Sequence, residues 1–535
     1  MVKLNPFLTR WLRFGPKLAY AALVGSLFWV AAHCYLPGRG FTYLLEIGDR
    51  QDARLLPEMR AAHPFELRDS WGYDGQFYAE IAMRPHLSDP MLAPAVDNLS
   101  YRARRILLSW TAWVFAGGNP IRAANAYAVQ SLVAWLLLAL LLTKWFPPCG
   151  WGNFLRWACV LYSFGMCHSI RASLVDGPSL LLIAFGLALL EWKRPWMAAI
   201  VLGVSGLARE TNILAGVALV PRGNSGRAWA RSLAWGAVVA LPITVWMWIL
   251  WRWLGSTGGG TDNFSAPFSG YFGKWSDTFW DWERGRPSLT AQQNFATLAA
   301  LAIQFGFFAL RRRWSDSWWR VGAAYAALMA LLGPSVWGGY PPAAARVLLP
   351  MTLAFNILVP RGRRWWLVLA LGNLNMLASL DVLVLPNPER YLLEGPAELR
   401  YDSTSGEFVG PVFDEHWSPH GHSYFESWRW SDGPSSFAVR NPHPFAVMAD
   451  IGFELRSKDN RPVSMGKGGR PCWQGYLHDR IRAKVVLRGV RLEPGDTVWT
   501  FDTPMPGGKP RGNPRGPPIF SLRNLEISLL GRANP

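Results

Sequence analysis

The segment Trp71–Tyr78, which reads WGYDGQFY, places one carboxylate, Asp74, among aromatic side chains with a glycine on each side. Such a carboxylate could accept a proton from an attacking hydroxyl group. It could equally bind a divalent cation through its oxygens. A turn with a capping aspartate, followed by a helix from Gln76 to Met83, explains the same residues without any function. The pattern therefore indicates a candidate acid–base or metal-binding group.

A second cluster, Tyr101–Arg105 (YRARR), contributes three arginines to the same polar part of the chain. Arg102 and Arg105 are three positions apart and would share a face in a helix. Guanidinium groups bind phosphate oxygens through two parallel hydrogen bonds, so Arg102, Arg104 and Arg105 are candidate phosphate ligands. The alternative is a basic patch that faces solvent or lipid headgroups.

Three further charged sites lie in or beside apolar segments, where charge is costly and is often functional. Arg171 and Asp176 could pair, Arg209 and Glu210 interrupt one apolar segment, and Arg346 opens another. Structural ion pairs or cations that reach the membrane surface explain each of them equally well. Together they place positive charge repeatedly at one face of the membrane, as a phosphate group would need.

The composition defines the elements that must position these residues. The chain has 535 residues, of which 50% are hydrophobic and 17% charged. Long apolar runs extend to about residue 385, and runs of this length are typical of membrane spans. A wholly soluble enzyme is excluded. The net charge of +18 lies largely in short clusters beside the runs, which follows the positive-inside rule and argues against a nucleic-acid partner.

With the N-terminus in the cytoplasm, about 11 spans put every basic cluster between the runs on the cytoplasmic side. The same count puts 38–105, 255–290 and the C-terminal tail on the outer side. The stretch 106–116 is too short to span and is predicted to be an interfacial or re-entrant helix. The predicted spans are roughly 18–37, 123–143, 153–169, 177–192, 195–208, 211–221, 232–254, 291–310, 319–336, 343–360 and 365–385.

The chain is predicted to form two domains, a multi-span membrane domain over 1–386 and a β-rich domain over 387–535. In the tail, Leu525, Ile527 and Leu529 alternate with polar residues, which is the period of a strand. Similar runs are separated by Pro-Gly and Gly-Gly turns. Short strands with such turns favour an all-β, sandwich-like domain.

An α-helical polytopic membrane protein with an acidic motif in its first outer loop resembles the GT-C class of membrane glycosyltransferases. The stretch GYDGQFY looks like the Asp-Gly-x-x-Tyr form of that loop motif. GYDGQFY, YRARRILLSW, RASLVDGPSLLL and RETN together resemble a set in uncharacterised bacterial multi-span proteins with the same β-rich tail. The resemblance implies a GT-C-like fold in the bacterial cytoplasmic (inner) membrane, with the C-terminal domain in the periplasm.

The resemblance also implies an activity, the transfer of a sugar from a polyprenyl-phosphate-linked donor to a glycan, lipid or protein acceptor. Asp74 would be the general base or the metal-holding carboxylate, with Asp49 and Asp52 as alternates. A divalent cation, Mg²⁺ or Mn²⁺, is the cofactor that this class leaves open, and Asp74 would be its ligand. The substrate-binding and phosphate-binding residues match no family motif. We assign them from their charge, from the side of the membrane on which they are predicted to lie, and from the aromatic residues around Asp74. They are Arg102, Arg104, Arg105, Arg209, Glu210, Arg346, Tyr73, Gln76 and Tyr78.

Two other functions share these features. A transporter or flippase for lipid-linked sugars would also need spans, arginines and a cavity, but it predicts broken helices in two matching halves. The sequence indicates one such break, at 195–221. A glycan polymerase or ligase would transfer a whole lipid-linked oligosaccharide, and residue patterns do not separate it from a single-sugar transferase. The run Gly258–Gly260 lacks the Gly-Lys-Ser/Thr ending of a phosphate-binding loop and indicates a flexible lid or linker.

Overall fold

The computed structural model describes residues 6–48, 51, 54–67, 70–221, 223, 225–283, 289–338, 343–383, 391–418, 421–422, 427–457, 459–478, 481–504 and 519–533. The described residues up to 383 are mostly helical, and those from 391 onward form mainly antiparallel sheets. The prediction of a mostly helical N-terminal part and a β-rich C-terminal part is confirmed. The boundary itself, at 386–387, lies outside the described residues.

The N-terminal region is built mainly from α-helices, together with segments of 3-10 helix. In chain order its α-helices are α1 (Pro6–His33), α2 (Pro57–Ala61), α3 (Asp74–Met83), α4 (Leu92–Ala95), α5 (Leu99–Ala103), α6 (Ile106–Phe115), α7 (Pro120–Leu142), α8 (Trp151–Leu161), α9 (Phe164–Arg171), α10 (Asp176–Glu191), α11 (Pro195–Ala208), α12 (Gly226–Leu254), α13 (Ser269–Glu283), α14 (Leu289–Leu310), α15 (Ser317–Leu331), α16 (Pro334–Trp337), α17 (Ala343–Val347), α18 (Leu349–Leu358) and α19 (Trp366–Leu371). One further short helix, α20 (Ala397–Arg400), lies in the C-terminal region.

Four of the described helices, α1, α7, α12 and α14, are long and apolar enough to cross a membrane. Exposed apolar side chains such as Leu233 and Trp248 lie along α12, as expected for a helix that faces lipid. The chain is therefore a membrane protein by helix length and composition. The predicted interfacial segment is a separate short helix, α6, which packs against α3 and α7.

Several predicted spans are interrupted rather than continuous. Tyr162 and Ser163 divide the predicted span 153–169 into α8 and α9. The segment after α11 continues as a 3-10 helix, Glu210–Leu219, and a second one, Leu374–Asp381, follows α19. Near residue 348, α17 gives way to α18, whose first turn contains Pro350. Backbone of this kind is tolerated at membrane depth only where protein covers it or a cavity adjoins it.

The predicted outer loop 38–105 forms packed structure over most of its described length. It contains α2 to α5, the 3-10 turn Thr42–Leu45, and a two-stranded parallel pair of β1 (Ile47–Gly48) with β2 (Glu66–Leu67). Its α3 is buried along nine of ten residues and packs against α6 and α7. This loop is thus part of the apolar core of the N-terminal region.

The C-terminal region contains two larger sheets, with strand orders β13-β10-β15-β8-β7 and β12-β11-β14-β9-β6. Strand β3 adds to β15 in parallel, and β4 pairs with β5. The strands are β3 (Leu392–Glu394), β4 (Tyr401–Asp402), β5 (Glu407–Phe408), β6 (Gly410–Phe413), β7 (Gly421–His422), β8 (Ser427–Ser431), β9 (Ser435–Asn441), β10 (Val447–Ser457), β11 (Arg461–Lys467), β12 (Arg470–Leu477), β13 (Ala483–Leu492), β14 (Gly495–Asp502) and β15 (Phe520–Arg532).

Alternation along the central strands builds one apolar core between these sheets. Every second residue of β10 is buried, which is the period of a strand with one face inward. Phe437 of β9 contacts Phe453 of β10, in the other sheet, at 5.7 Å between ring centroids. Trp499 stacks on Phe437 in the same core, so this tryptophan has a packing role.

The C-terminal region contacts the N-terminal region near the end of α1. Arg39 donates through Nη2 to the backbone oxygen of Gly406 at 3.1 Å, and its guanidinium lies over the ring of Phe408. This contact holds the β-rich region on the side of the helical region that carries 38–105.

Candidate functional site

The helical region contains a cavity of about 660 Å³ that collects most of the charged residues singled out in the sequence. Five arginines and three carboxylates line it, so two positive charges are not neutralised by lining residues. Eight of the nine predicted binding residues and Asp74 lie in its wall, namely Tyr73, Asp74, Tyr78, Arg102, Arg104, Arg105, Arg209, Glu210 and Arg346.

Asp74 is the first residue of α3. The glycines on either side of it in the chain, Gly72 and Gly75, lie where neighbouring atoms leave little room for a side chain. Gly72 has φ +72°, a conformation that glycine adopts at little cost. A Cβ atom on Gly75 would lie 2.3 Å from the backbone oxygen of Ala172. The backbone nitrogen of Tyr73 donates to the oxygen of Glu46 at 2.9 Å. These glycines therefore let α3 pack tightly and hold Asp74 in place.

The charges around Asp74 keep it ionised. Arg102 donates through Nη2 to Asp74 Oδ1 at 2.9 Å. Burial raises the pKa of Asp74, but the positive charges of Arg102, Arg346 and Arg105 outweigh burial and hold that pKa below its usual range. The amino end of α3 favours a negative charge there as well. Asp74 is thus a carboxylate at neutral pH.

Arg102 and Arg105 both reach the cavity, although only Arg102 lies within a helix. Arg102 lies in α5, whose last residue is Ala103, and Arg105 caps the start of α6. The predicted shared helical face is wrong, because the chain changes direction between them. Arg105 donates to Tyr78 Oη at 2.8 Å and forms a two-point pair with Glu210.

Arg104 binds backbone rather than an acidic side chain among the described residues. Its guanidinium donates to the carbonyl oxygens of Thr257, Gly258 and Gly259, the last at 2.9 Å. Gly258 has φ +72° and packs closely on the backbone of Tyr101. The run Gly258–Gly260 therefore lies over the cavity wall, and Arg104 fastens it there.

Three charged residues of the apolar segments, Asp176, Arg209 and Arg346, meet in the cavity wall. Asp176 contacts both Arg209 and Arg346, and Arg346 Nη1 lies 3.4 Å from Asp176 Oδ2. Arg346 also donates through Nη2 to Tyr73 Oη at 2.8 Å. Arg171 instead contacts Glu46, with 3.2 Å between Nη1 and Oε1. Arg171 and Asp176, which could have paired by their spacing, thus have other partners among the described residues.

One predicted residue, Gln76, does not line the cavity. Gln76 is buried; its Nε2 donates to the backbone oxygen of Trp71 at 2.8 Å, and its Oε1 accepts from Gly48. Its contacts hold the segment that precedes Asp74. Asp49 and Asp52, the alternates to Asp74, lie outside the described residues.

The described residues do not fit a divalent cation. No group of three or more His, Cys, Asp or Glu side chains that could hold a metal occurs in the described part of the chain. Asp74 is occupied by Arg102, and the excess of arginines around it repels a cation. Binding of Mg²⁺ or Mn²⁺ stays a prediction.

Two acidic residues of the site were missing from the predicted set. Asp97 accepts from Arg102 at 3.0 Å (Nε to Oδ1) and 2.7 Å (Nη2 to Oδ2). In the sequence, Asp97 could have been found from the pair Asp97-Asn98 just before a short helix, since Asn98 caps α5. Asp176 was assigned a different partner, and nothing in the spacing indicates that two arginines would share it.

No family model matches this chain, and no curated protein matches it either. The function therefore has to be inferred from the chemistry of the cavity.

Proposed function

We propose that this protein is a membrane glycosyltransferase that moves a sugar from a polyprenyl-phosphate-linked donor to a glycan, lipid or protein acceptor. The proposal includes a GT-C-like arrangement of about 11 spans in a bacterial inner membrane. It places the cavity and the C-terminal domain, as a β-sandwich, on the outer side. The observation that carries it is the carboxylate of Asp74 in a single cavity whose lining holds five arginines and only three carboxylates.

The walls of the cavity suit an amphiphilic donor. The polar wall carries Asp74 and the arginines, which match a sugar and a phosphate. Half-buried Tyr73 offers a ring face on which a sugar could stack. Apolar side chains form another part of the wall and match a hydrocarbon tail; they are Leu174, Val175, Phe264, Leu328, Leu332, Val336, Ala343 and Val347.

In the proposed reaction, an acceptor hydroxyl attacks the anomeric carbon of the donor sugar. The new carbon–oxygen bond forms as the bond from that carbon to the lipid phosphate breaks, and the bonding electron pair leaves with the phosphate. Asp74 takes the proton of the hydroxyl. Arginines beside the phosphate stabilise the negative charge that develops on it.

The low pKa of Asp74 is compatible with this role. Glycosyl transfer passes through a transition state with oxocarbenium character, in which the bond to the leaving group is largely broken. The attacking hydroxyl then becomes acidic as it bonds to carbon, so a weak base is sufficient. The contact with Arg102 orients the carboxylate for this step.

Transport of a lipid-linked sugar is the second candidate, and the interrupted helices favour it. Breaks occur in 151–219, after α8 and α11, and again in 343–381, after α17 and α19. Transporters place their substrate at such breaks in two corresponding halves. The sequence indicated one break, whereas the described residues contain breaks in two segments, which favours transport more than the sequence did.

Purified protein in liposomes, supplied with a panel of polyprenyl-phosphate sugars and crude acceptor glycans, tests the proposal. The quantity measured is released polyprenyl phosphate, for wild type and for Asp74→Asn. We expect release by wild type and a loss of about 10²–10⁴-fold in the variant. Asp89→Asn is the matched control, since Asp89 lies in the same loop and pairs with Arg84. Movement of donors across the bilayer without release would contradict the enzyme and favour transport.

A further inference from the structure

The arginines of the cavity differ in how fully their donors are used. Arg102 holds two carboxylates, Asp97 through two hydrogen bonds and Asp74 through one. Arg105 makes a two-point pair with Glu210. These two guanidinium groups already have strong partners, and a ligand would have to break those pairs to bind them.

Arg209 and Arg346 are different because they share one carboxylate, that of Asp176. The Nε atoms of both arginines are buried without a hydrogen-bond partner among the described residues. Arg346 is itself 9% exposed. Two positive charges therefore meet one negative charge, and donors remain unused. An arrangement of this kind favours a second anion.

Asp176 lies between these arginines. It lies in the first turn of α10, where the helix dipole stabilises a negative charge, and its side chain is 1% exposed. Ser169 Oγ accepts from the backbone nitrogen of Gly177 at 2.8 Å, which fixes this turn. The carboxylate therefore occupies a defined anion position in the cavity wall.

We propose that the phosphate of the substrate binds between Arg209 and Arg346 in competition with the carboxylate of Asp176, which holds the two guanidinium groups in position when no phosphate is bound. The inference rests on the proposed function for the identity of the phosphate, a lipid phosphate. Leu174, Val175 and Val347 line the cavity beside this position and offer an apolar surface for the first part of the lipid. After transfer, Asp176 pairs again with the arginines and displaces the phosphate product.

The test is direct binding to the purified full-length chain in detergent, with three probes: decaprenyl phosphate, decaprenol and inorganic phosphate. We expect saturable binding of decaprenyl phosphate and much weaker binding of the other two. Arg209→Gln and Arg346→Gln should each weaken it about tenfold or more, the effect of losing one charge-assisted hydrogen bond. Arg122→Gln is the matched control, because Arg122 is exposed and lies outside the cavity wall.

The direction in which Asp176→Asn changes the affinity for decaprenyl phosphate is decisive. Removal of the competing charge should tighten binding of decaprenyl phosphate about fivefold to tenfold, which corresponds to the loss of about one opposing interaction of ordinary strength. Replacement of a purely structural aspartate would leave the affinity unchanged or lower it, so unchanged or weaker binding by a folded variant overturns the proposal. If Asp176→Asn does not fold, the arginine variants decide: equal affinity in Arg209→Gln, Arg346→Gln and Arg122→Gln overturns it.

The three probes distinguish a lipid phosphate from free phosphate as the ligand. They also distinguish the phosphate site from the glycosyltransferase activity. Inorganic phosphate that binds as tightly as decaprenyl phosphate overturns the lipid phosphate as the ligand. Binding assays contain no sugar, so they do not depend on catalysis. A protein that binds decaprenyl phosphate in the expected way but releases none from any donor supports this phosphate site and contradicts the glycosyltransferase.

Discussion

Arg105 and Glu210 lie 105 residues apart in the chain and form a two-point ion pair inside the protein. Arg105 Nε is 2.8 Å from Glu210 Oε2, and Nη2 is 2.9 Å from Oε1. The pair joins the start of α6 to the 3-10 segment after α11. It thereby connects the segment that carries the arginine cluster to the interrupted helix, and both of these form the wall of the cavity.

Replacement of Glu210 by Gln should lower the free energy of unfolding by about 3 kcal/mol, because it leaves the buried guanidinium of Arg105 without its counter-charge. Chemical unfolding in detergent measures the change. Arg105→Gln and the double variant complete a double-mutant cycle. Strictly additive losses would show that the pair contributes no coupling energy and would contradict this assignment.

The Arg102 guanidinium controls the pKa of Asp74. Arg102→Gln removes a positive charge at 2.9 Å, so the pKa of Asp74 should rise. A general base loses activity as the pH falls through its pKa, and the acid limb of the pH–rate profile for sugar release should therefore move to higher pH. Arg84→Gln, at a surface pair with Glu58, is the control. An acid limb at the same pH in wild type and Arg102→Gln would argue against Asp74 as the base.

Glu80 should make stability depend on pH. It is fully buried on α3, and burial raises the pKa of its carboxyl group to about 8. The folded protein keeps the proton that the unfolded chain loses near the ordinary pKa, so stability falls as the pH rises from the ordinary value to about 8. Glu80→Gln cannot ionise. Its melting temperature should exceed that of wild type by a margin that grows between pH 5 and pH 8.

Melting curves at constant ionic strength measure this margin. Glu58→Gln, a partly exposed carboxylate of the same region, should show no comparable growth. A constant difference between Glu80→Gln and wild type across this pH range would mean that Glu80 is ionised in the folded protein.

Arg104 should hold the glycine run over the cavity. Arg104→Lys replaces a planar group that reaches three carbonyl oxygens by a single ammonium group. Amide hydrogen exchange in 255–262 should become about tenfold faster, since local opening costs about one hydrogen bond less. Arg122→Lys should leave this exchange unchanged. Equal exchange rates in all three proteins would show that other contacts hold the segment.

The strand alternation in the tail and the length of four apolar helices were readable from the sequence, because both follow from local repeats of the backbone. Strand β15 covers the run predicted around Ile527. The interruptions near Ser163, Leu348 and Gly372 were not predicted, since apolar segments continue on both sides of them. Neighbouring helices decide whether such a segment remains one helix.

The sequence by itself determined the class of the protein, the β-rich tail and the identity of the residues that could do chemistry, Asp74 and the arginines. These depend on residue type, local period and charge. Only the tertiary structure decided the partners: Arg102 with Asp97, Arg105 with Glu210, and Arg209 with Arg346 around Asp176. An ion pair depends on the distance between side chains in space, and spacing along the chain does not determine that distance once packing brings remote segments together.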